Sequence, residues 1–384
     1  MRSLRIGVNA LYMIPGGVGG TEIYLRSLLQ ALDRLGTAHR FIVFVNAETQ
    51  AEMPAPSSQF QIVNTRVQAR NRPWRLMWEQ LALPRALRLY DIDVLLNPGF
   101  TAPVLAPCPS VTVFHDLQHQ RHPEYFRWFD LPFWRLFLYA SARRSAMIIA
   151  VSESTRQDFI AHYGIDASRV RVVHHGVDPE FFGIKERFTN GQNQRYILSV
   201  STLHPHKNFR RLLPAYAEFA HRRPDVKLVI AGLHGFDSAQ IQQLIRELDL
   251  TERVRCTGWI PRAELYALFA GADAFIYPTL FEGFGMTLLE AMAAGLPVAC
   301  SDIEPLRSIA GQAALLFNPQ DTREIEQALF RITDEEGVRE GLRRAGPKRA
   351  SAFTWEETAR ATMEILVAAA SGNMADGVAA GSTQ

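Results

Sequence analysis

The organisation of the chain is plainest in FIYPTLFEGFGMTLLEAMAAGLPV, residues 275–298. A short apolar run, Phe275-Ile276-Tyr277, ends at Pro278, and a loop with Glu282, Gly283, Phe284 and Gly285 follows. A helical pattern then runs from Met286 to Ala294 and stops at Gly295 and Pro297. Strand, glycine-rich loop and helix is how α/β proteins build an anion site. The first amides of the helix lack intrahelical acceptors and carry the positive end of its dipole. Glycines let the backbone come close to a ligand. Two acids set this loop apart: Glu282 precedes the glycines, and Glu290 lies one turn into the helix. An ionised carboxylate only accepts hydrogen bonds, and sugars offer many hydroxyl donors. Phosphate-binding amides between two hydroxyl-binding acids suit a sugar nucleotide.

The same alternation of strand and helix signals runs through almost all of the 384 residues, which implies parallel sheets flanked by helices. In the first half strands are expected at 4–9, 41–45, 94–96, 110–114, 147–151 and 171–173. A glycine-rich loop, Pro15 to Gly20, leads into a helix at 21–35. After His174-His175-Gly176-Val177-Asp178 comes a polar stretch, Lys185 to Gln194, that reads as a linker. The pattern then restarts, with strands at 196–200, 227–231, 253–256, 274–277, 298–300 and 314–317. Helices fit 210–220, 238–248, 262–270, 286–294 and 321–333. An amphipathic helix at 355–369 follows, and residues 371–384 have the small, polar composition of a disordered tail. The expected division is a first domain over 1–178, a linker over 179–194 and a second domain over 195–354.

A content of 47% hydrophobic and 21% charged residues is that of a globular protein, and the length suffices for two domains. Cys108, Cys256 and Cys300 are too far apart for metal-ligand spacing or a disulfide framework, which points to a reducing compartment. The run MRSLRIGVNALYM is broken by Asn9 and leads into a glycine-rich loop, as a first strand does and a signal peptide does not. No uninterrupted apolar run reaches the ~18 residues of a membrane span. The net charge of +2 is unevenly split: residues 1–180 hold 19 arginines, no lysine and 15 acids, a net +4, and the remainder is −2. A mildly basic first half suits an anionic membrane or acceptor, and an ordinary solvated surface accounts for it equally well.

Glu282 and Glu290 are separated by seven residues, and the string E-G-F-G followed by L-L-E-A-M-A-A-G-L-P-V strongly resembles the signature of the family-4 retaining glycosyltransferases. The resemblance implies the α/β GT-B fold: two Rossmann-like domains facing across a cleft, with the helix at about 355–370 crossing back to the first. Other loops share it. Gly17, Val18, Gly19 and Gly20 form a turn between a strand and a helix, but not the full G-x-G-x-x-G of dinucleotide enzymes. The family places this loop near the donor diphosphate or the acceptor. His115-Asp116 follows the carboxyl end of a strand, where doubly wound sheets bind ligands. By resemblance His115 lies near the sugar's C6 hydroxyl and anomeric centre; from the residues alone, a helix-capping Asp116 beside a structural histidine fits better. Lys207, in the stretch Ser201 to Asn208, is a mobile point charge suited to a diphosphate. Relatives have an arginine where Thr202 stands, so His206 or a nearby arginine makes up the charge, or Lys207 acts alone. In Thr257-Gly258-Trp259-Ile260-Pro261, the loop that holds the base in relatives, Trp259 either stacks on the base or joins the core.

The resemblance thus implies a nucleotide sugar bound mainly by the second domain. Lys207 and the loop Gly283, Phe284, Gly285 and Thr287 would hold the phosphates, and Glu290 the ribose hydroxyls. Gly258 and Trp259 would meet the base, and Glu282 the sugar hydroxyls and positive charge at the anomeric carbon. The acceptor would enter from the first domain near Gly17–Gly19 and His115. Retention follows from the family; no protein nucleophile is assigned, and a donor phosphate oxygen takes the acceptor's proton. No D-x-D motif stands beside the donor loop, so transfer without metal or cofactor is expected, the nucleotide sugar being a co-substrate. Closure of hinged domains would exclude water. HDLQHQRHPEYF, residues 115–126, resembles bacterial mannosyltransferases of surface polysaccharides, which favours GDP-mannose over UDP-glucose and related donors. A sugar-nucleotide epimerase and a catalytically silent nucleotide- or carbohydrate-binding scaffold are the rival classes.

Two aromatic stretches lie outside these loops: residues 72–78, with Trp74 and Trp78, and residues 123–144, with Trp128, Phe129, Phe133, Trp134 and Arg143-Arg144. Arginine with tryptophan suits a lipid interface and a lipid-linked saccharide acceptor; aromatic stripes at helical spacing equally suit a core. No nucleic-acid motif appears. The expected location is the cytoplasm, at the inner face of the cytoplasmic membrane.

Overall fold

Runs such as Ile42-Val43-Phe44-Val45 and Phe275-Ile276-Tyr277 are apolar at consecutive positions, as strands covered on both faces must be. In a computed structural model, which describes residues 2–17, 19–49, 57–187 and 194–372, they lie inside two parallel sheets. The first holds β1 (Arg5–Ala10), β2 (Arg40–Val45), β3 (Phe60–Asn64), β4 (Val94–Asn97), β5 (Ser110–Phe114), β6 (Met147–Ala150) and β7 (Val170–Val172). Its order is β3-β2-β1-β4-β5-β6-β7. The second holds β8 (Arg195–Val200), β9 (Val226–Ala231), β10 (Val254–Cys256), β11 (Ala274–Tyr277), β12 (Val298–Ser301) and β13 (Leu315–Phe317), in the order β10-β9-β8-β11-β12-β13. Each order reverses once, at β1/β4 and at β8/β11. Doubly wound sheets bind ligands outside the carboxyl ends of the strands at such points.

The chain divides into two units, one ending at His175 and resuming at Trp355, the other spanning Gly176–Thr354. The turn Pro179–Phe181 and the helix Ile184–Arg187, within the stretch read as a linker, belong to the second unit. Residues 188–193 of that stretch and 373–384 of the tail lie outside the described residues. The helix Trp355–Ser371 belongs to the first unit and buries Trp355, Met363, Ile365 and Leu366 there. The Thr358 hydroxyl donates to the His174 carbonyl at 2.8 Å, and Glu356 pairs with Arg34 at 2.9 Å.

Several elements were not anticipated, among them the helices Leu83–Leu89 and Glu153–Tyr163, the strand β3 and the helix Glu336–Ala350. β3 is an edge strand of mixed composition, without a run of apolar residues. The helix Glu336–Ala350 contains Pro347 and three glycines, ordinary helix breakers. Tertiary packing explains it: a Cβ at Gly346 would stand 2.9 Å from the Met292 carbonyl oxygen, so only glycine allows this helix to lie against the helix Met286–Ala293.

Candidate functional site

The donor loop of the second unit is held by its own backbone chemistry. Gly285 begins the helix Met286–Ala293 at φ +104°, and a Cβ there would stand 2.6 Å from Leu306 Cδ2. The backbone conformation requires glycine, and any side chain there would also push Leu306 aside. The first turn of the helix carries no acid, and the positive end of its dipole favours negative charge. Thr287, in that turn, has its hydroxyl buried. The loop after β8 is tied to the loop after β11: the Thr279 hydroxyl and the Leu280 amide both donate to the His206 carbonyl, at 3.0 and 2.7 Å. Asn208 is buried at φ +61°, a left-handed conformation that asparagine tolerates, and its amide bridges the carbonyls of Pro278 and Pro319 at 2.9 and 2.7 Å.

This bracing sets Lys207 against Glu282. Nζ lies 2.5 Å from Glu282 Oε1, and both side chains are largely buried. The Tyr277 hydroxyl, at the end of β11, donates to the same oxygen at 2.6 Å. Burial, with the Glu282 charge beside it, pushes the Tyr277 phenol well above its ordinary range, so it stays a donor. Tyr277 was read only as part of a strand; no feature of the sequence marked its hydroxyl.

Glu290 does not face open solvent: it is 5% exposed, and its Oε1 forms a salt bridge with Arg262 Nη1 at 3.0 Å. Arg262 opens the helix Arg262–Gly271 and also reaches Asp178, Nη2 to Oδ2, at 3.0 Å. Burial pushes the Glu290 carboxyl up and Arg262 opposes it. Asp178 is held below the usual carboxylate range against its own burial by the Tyr266 hydroxyl, the Glu180 amide and Arg262. Neither Asp178 nor Arg262 was picked out from sequence.

Trp259 is 59% exposed, which removes the core alternative and leaves its ring open to stacking. Gly258 (φ +70°) accepts from the Gly232 amide through its carbonyl at 3.2 Å. In the segment that follows Thr202, Arg210 Nε pairs with both Asp237 oxygens at 2.9 Å, and His206 stacks on His204. Burial, then Lys207, lowers the His204 pKa. A cavity of about 430 Å³ in this unit is lined by Tyr196, Lys227, Arg253 and Arg255 and by Thr257 and Ile260, the neighbours in sequence of Gly258 and Trp259, and includes none of Lys207, Glu282 or Glu290. The chemistry, not this cavity, marks the candidate site.

In the first unit Gly16 and Gly19 adopt positive φ, and Gly20 begins the helix Gly20–Arg34; Val18 lies outside the described residues. A Cβ at Gly17 would stand 2.8 Å from Ile14 Cγ2. Glu22 closes this loop, accepting from the Gly16 amide at 2.8 Å and from Arg26 at 2.9 Å. His115 follows β5 and is buried, with Nε2 3.0 Å from the Pro98 carbonyl oxygen. A carbonyl only accepts, so Nε2 carries the proton; burial lowers the ring's pKa to about 4 and keeps it neutral. Nδ1 is then an acceptor. Tyr24 and His175 flank the ring at 4.9 and 5.3 Å. Asp116 accepts from the Gln118 amide at 3.0 Å, but the N-cap of the short helix Gln118–Arg121 is Leu117, so Asp116 does not cap it. Among the described residues no group of three or more His, Cys, Asp or Glu side chains is placed to hold a metal ion.

The aromatic stretches are largely on the surface. Trp128 is 83% and Leu136 70% exposed, and Phe129, Phe133 and Tyr139 are exposed with them. From Phe129 onward these positions recur every three or four residues into the helix Leu131–Arg144, whose last turn carries Arg143 and Arg144. Trp74, Met77 and Leu81 are exposed on the helix Arg72–Leu81 at the same spacing. No helix among the described residues is long and apolar enough to cross a membrane.

Comparison with known proteins agrees with this architecture. A family model described as Glycosyltransferase Family 4 matches residues 18–181, and one described as Glycosyl transferases group 1 matches residues 182–349. The chain is 28% identical over 307 residues to O-antigen chain mannosyltransferase B of Escherichia coli, covering 77% of this chain and 80% of that one. It is 26% identical over 273 residues to O-antigen chain mannosyltransferase RfbU of Salmonella typhimurium, covering 71% and 74%. Its structure is similar to that of a sucrose-phosphate synthase from Thermosynechococcus elongatus, with a TM-score of 0.78 and 20% identity, over 95% of this chain and 98% of that one.

Proposed function

The chain belongs to the family-4 (group 1) glycosyltransferases, with the GT-B fold, and on that premise we propose that it transfers mannose from GDP-mannose to a saccharide or lipid-linked saccharide acceptor of a surface polysaccharide, with retention at the anomeric carbon. The observation that carries this reading is the convergence of Lys207 and Tyr277 on one oxygen of Glu282, in the loop that leads into a helix whose first turn carries no acid. An ammonium has three donors, so Lys207 can keep Glu282 and still serve the donor diphosphate. The amides at the start of the helix Met286–Ala293 add to the leaving-group stabilisation. Transfer therefore needs no metal in this reading. Glu282 accepts sugar hydroxyls and faces the positive charge of an oxocarbenium-like transition state. The bond from the anomeric carbon to the phosphate oxygen breaks, the bond to the acceptor oxygen forms on the same face, and the acceptor's proton passes to a donor phosphate oxygen. Glu290 takes the ribose hydroxyls and Trp259 the base.

The first unit is assigned to the acceptor. The carboxylate of Glu22 already lies in the glycine-rich loop; it repels a diphosphate and suits hydroxyls. His115, neutral, offers Nδ1 to a sugar hydroxyl. The exposed Trp128–Tyr139 stripe, with Arg127, Arg135, Arg143 and Arg144 among its neighbours in sequence, fits the surface of an anionic bilayer. A lipid-linked acceptor at the inner face of the cytoplasmic membrane is consistent with that contact.

The test is thermal stabilisation by GDP, UDP, ADP and their sugar conjugates, with and without a chelator. Saturation at 100 times Kd raises stability by about 2.7 kcal/mol. A GDP-selective, chelator-insensitive shift is expected. A UDP-selective shift replaces the donor and keeps the chemistry; no shift with any nucleotide overturns the reading. Product analysis without acceptor checks the epimerase alternative, which requires a new sugar nucleotide to appear.

A further inference from the structure

Arg262 stands outside the donor loop, yet each of its three guanidinium nitrogens has its own partner. Nη1 meets Glu290 Oε1 at 3.0 Å, Nη2 donates to Asp178 Oδ2 at 3.0 Å, and Nε donates to the Tyr266 hydroxyl oxygen at 3.2 Å. The Tyr266 hydroxyl donates in turn to the same Asp178 oxygen at 2.5 Å. The Phe181 ring covers the guanidinium, its centroid 4.9 Å away. Guanidinium donors are fixed in a planar fork, so three partners in three directions allow one orientation. Through Oε1, Glu290 is anchored to that fixed fork.

The cluster gathers two carboxylates and one cation, so ionising both acids leaves one net negative charge in a buried place. The groups facing Glu290 are Arg262 from the helix Arg262–Gly271, Asp178 from the segment before Pro179–Phe181, and Tyr277 from β11. Burial and Asp178 favour a protonated Glu290, and Arg262 alone of these opposes it. Protonation matters to a diol. An ionised carboxylate has about four lone-pair sites, of which Arg262 takes one, whereas a carboxylic acid spends one oxygen as a donor.

We infer that Arg262 is a positioning residue that keeps Glu290 ionised and turned to accept both hydroxyls of the nucleotide's ribose. The inference rests on the proposed function, in which Glu290 binds that ribose. The two fail in distinguishable ways.

The experiment measures GDP and UDP binding by calorimetry from about pH 5 to about pH 9, on both sides of neutrality. The proteins are the wild type, Arg262→Met and Arg262→Lys. The matching 2′,3′-dideoxynucleoside diphosphates carry the same phosphates without the diol and report phosphate titration separately. Wild-type affinity is expected to fall only on the acid side. Arg262→Met is expected to bind at least about tenfold more weakly near neutrality and to recover as pH rises, by up to tenfold per unit below the raised pKa. Arg262→Lys restores the pH profile as a point charge but not the full affinity, because it lacks the fork. The dideoxy probes bind wild type and Arg262→Met alike. An Arg262→Met profile superimposable on wild type, or an equal loss for the dideoxy probes, overturns the inference and leaves the transferase reading intact. If wild type binds neither GDP nor UDP, the function falls and the inference with it. If Arg262→Met does not fold, Arg262→Lys and Glu290→Gln carry the comparison: Glu290→Gln must be weak and flat with pH, and a pH-dependent loss of its affinity refutes the role of Glu290 ionisation.

Discussion

Replacing Tyr277 by phenylalanine removes one oxygen atom from the donor loop. The phenol is buried and donates at 2.6 Å to Glu282 Oε1, the oxygen that also receives Lys207. A hydrogen bond to a charged acceptor contributes about 1.5–3 kcal/mol. Glu282 keeps Lys207 in the variant, so no buried charge is left uncompensated. If the full bond energy holds Glu282 in its transition-state position, kcat falls by roughly 10- to 160-fold. Affinity for the nucleoside diphosphate should change little, because the diphosphate is assigned to Lys207 and the helix amides. The assay is turnover of the stabilising nucleotide sugar at saturating donor, with the nucleotide-induced rise in Tm measured alongside. A kcat within about twofold of wild type together with a lowered Tm would refute the reasoning, since Tyr277 would then serve only stability. A raised KM at unchanged kcat would move Glu282 from transition-state to ground-state binding.

Gly285→Ala forces φ +104° on alanine and brings its Cβ within 2.6 Å of Leu306, at a cost of about 2–5 kcal/mol in urea unfolding, with loss of nucleotide stabilisation. Wild-type stability in that variant would show that the loop relaxes freely. Asn208→Ala removes both bridging bonds to Pro278 and Pro319 and is expected to lower unfolding free energy by about 2–4 kcal/mol, because two buried carbonyls lose their donor. A change under about 0.5 kcal/mol, the range of an ordinary surface substitution, would contradict it. The double variant Trp128→Ser/Phe133→Ser is expected to weaken co-sedimentation with anionic phospholipid vesicles by at least about tenfold, as buried aromatic area is lost. Wild-type binding should also fall with salt; equal binding by variant and wild type would remove the membrane contact.

Much of the second unit was legible because its signals are local. Strands such as Val226–Ala231 are dense apolar runs, and the Gly285 helix start follows from a glycine beside an apolar period. β3 escaped because an edge strand need not be apolar on both faces, and Phe60–Asn64 alternates too briefly to stand out. The helix Glu336–Ala350 escaped because Gly346 and Pro347 look like breakers, whereas Gly346 serves a close approach to Met292. At the site, Glu282, Glu290 and Lys207 were visible through their motif. Tyr277, Arg262 and Asp178 were not, because a tyrosine ending a strand and an arginine opening a helix are ordinary in sequence.

Sequence alone determined where strands, glycine-rich turns and helix starts alternate, because periodicity and glycine's conformational freedom act between neighbours along the chain. The tertiary structure decided the company each charge keeps. Lys207 meets Glu282 across 75 positions, and Arg262 meets Asp178 across 84. It also decided that the Trp128–Tyr139 stripe faces outward, where the sequence allowed a core equally. Both depend on which distant elements come together to exclude water: a half-buried ion pair takes its strength from the loops that desolvate it, and an aromatic face stays exposed when no other element covers it.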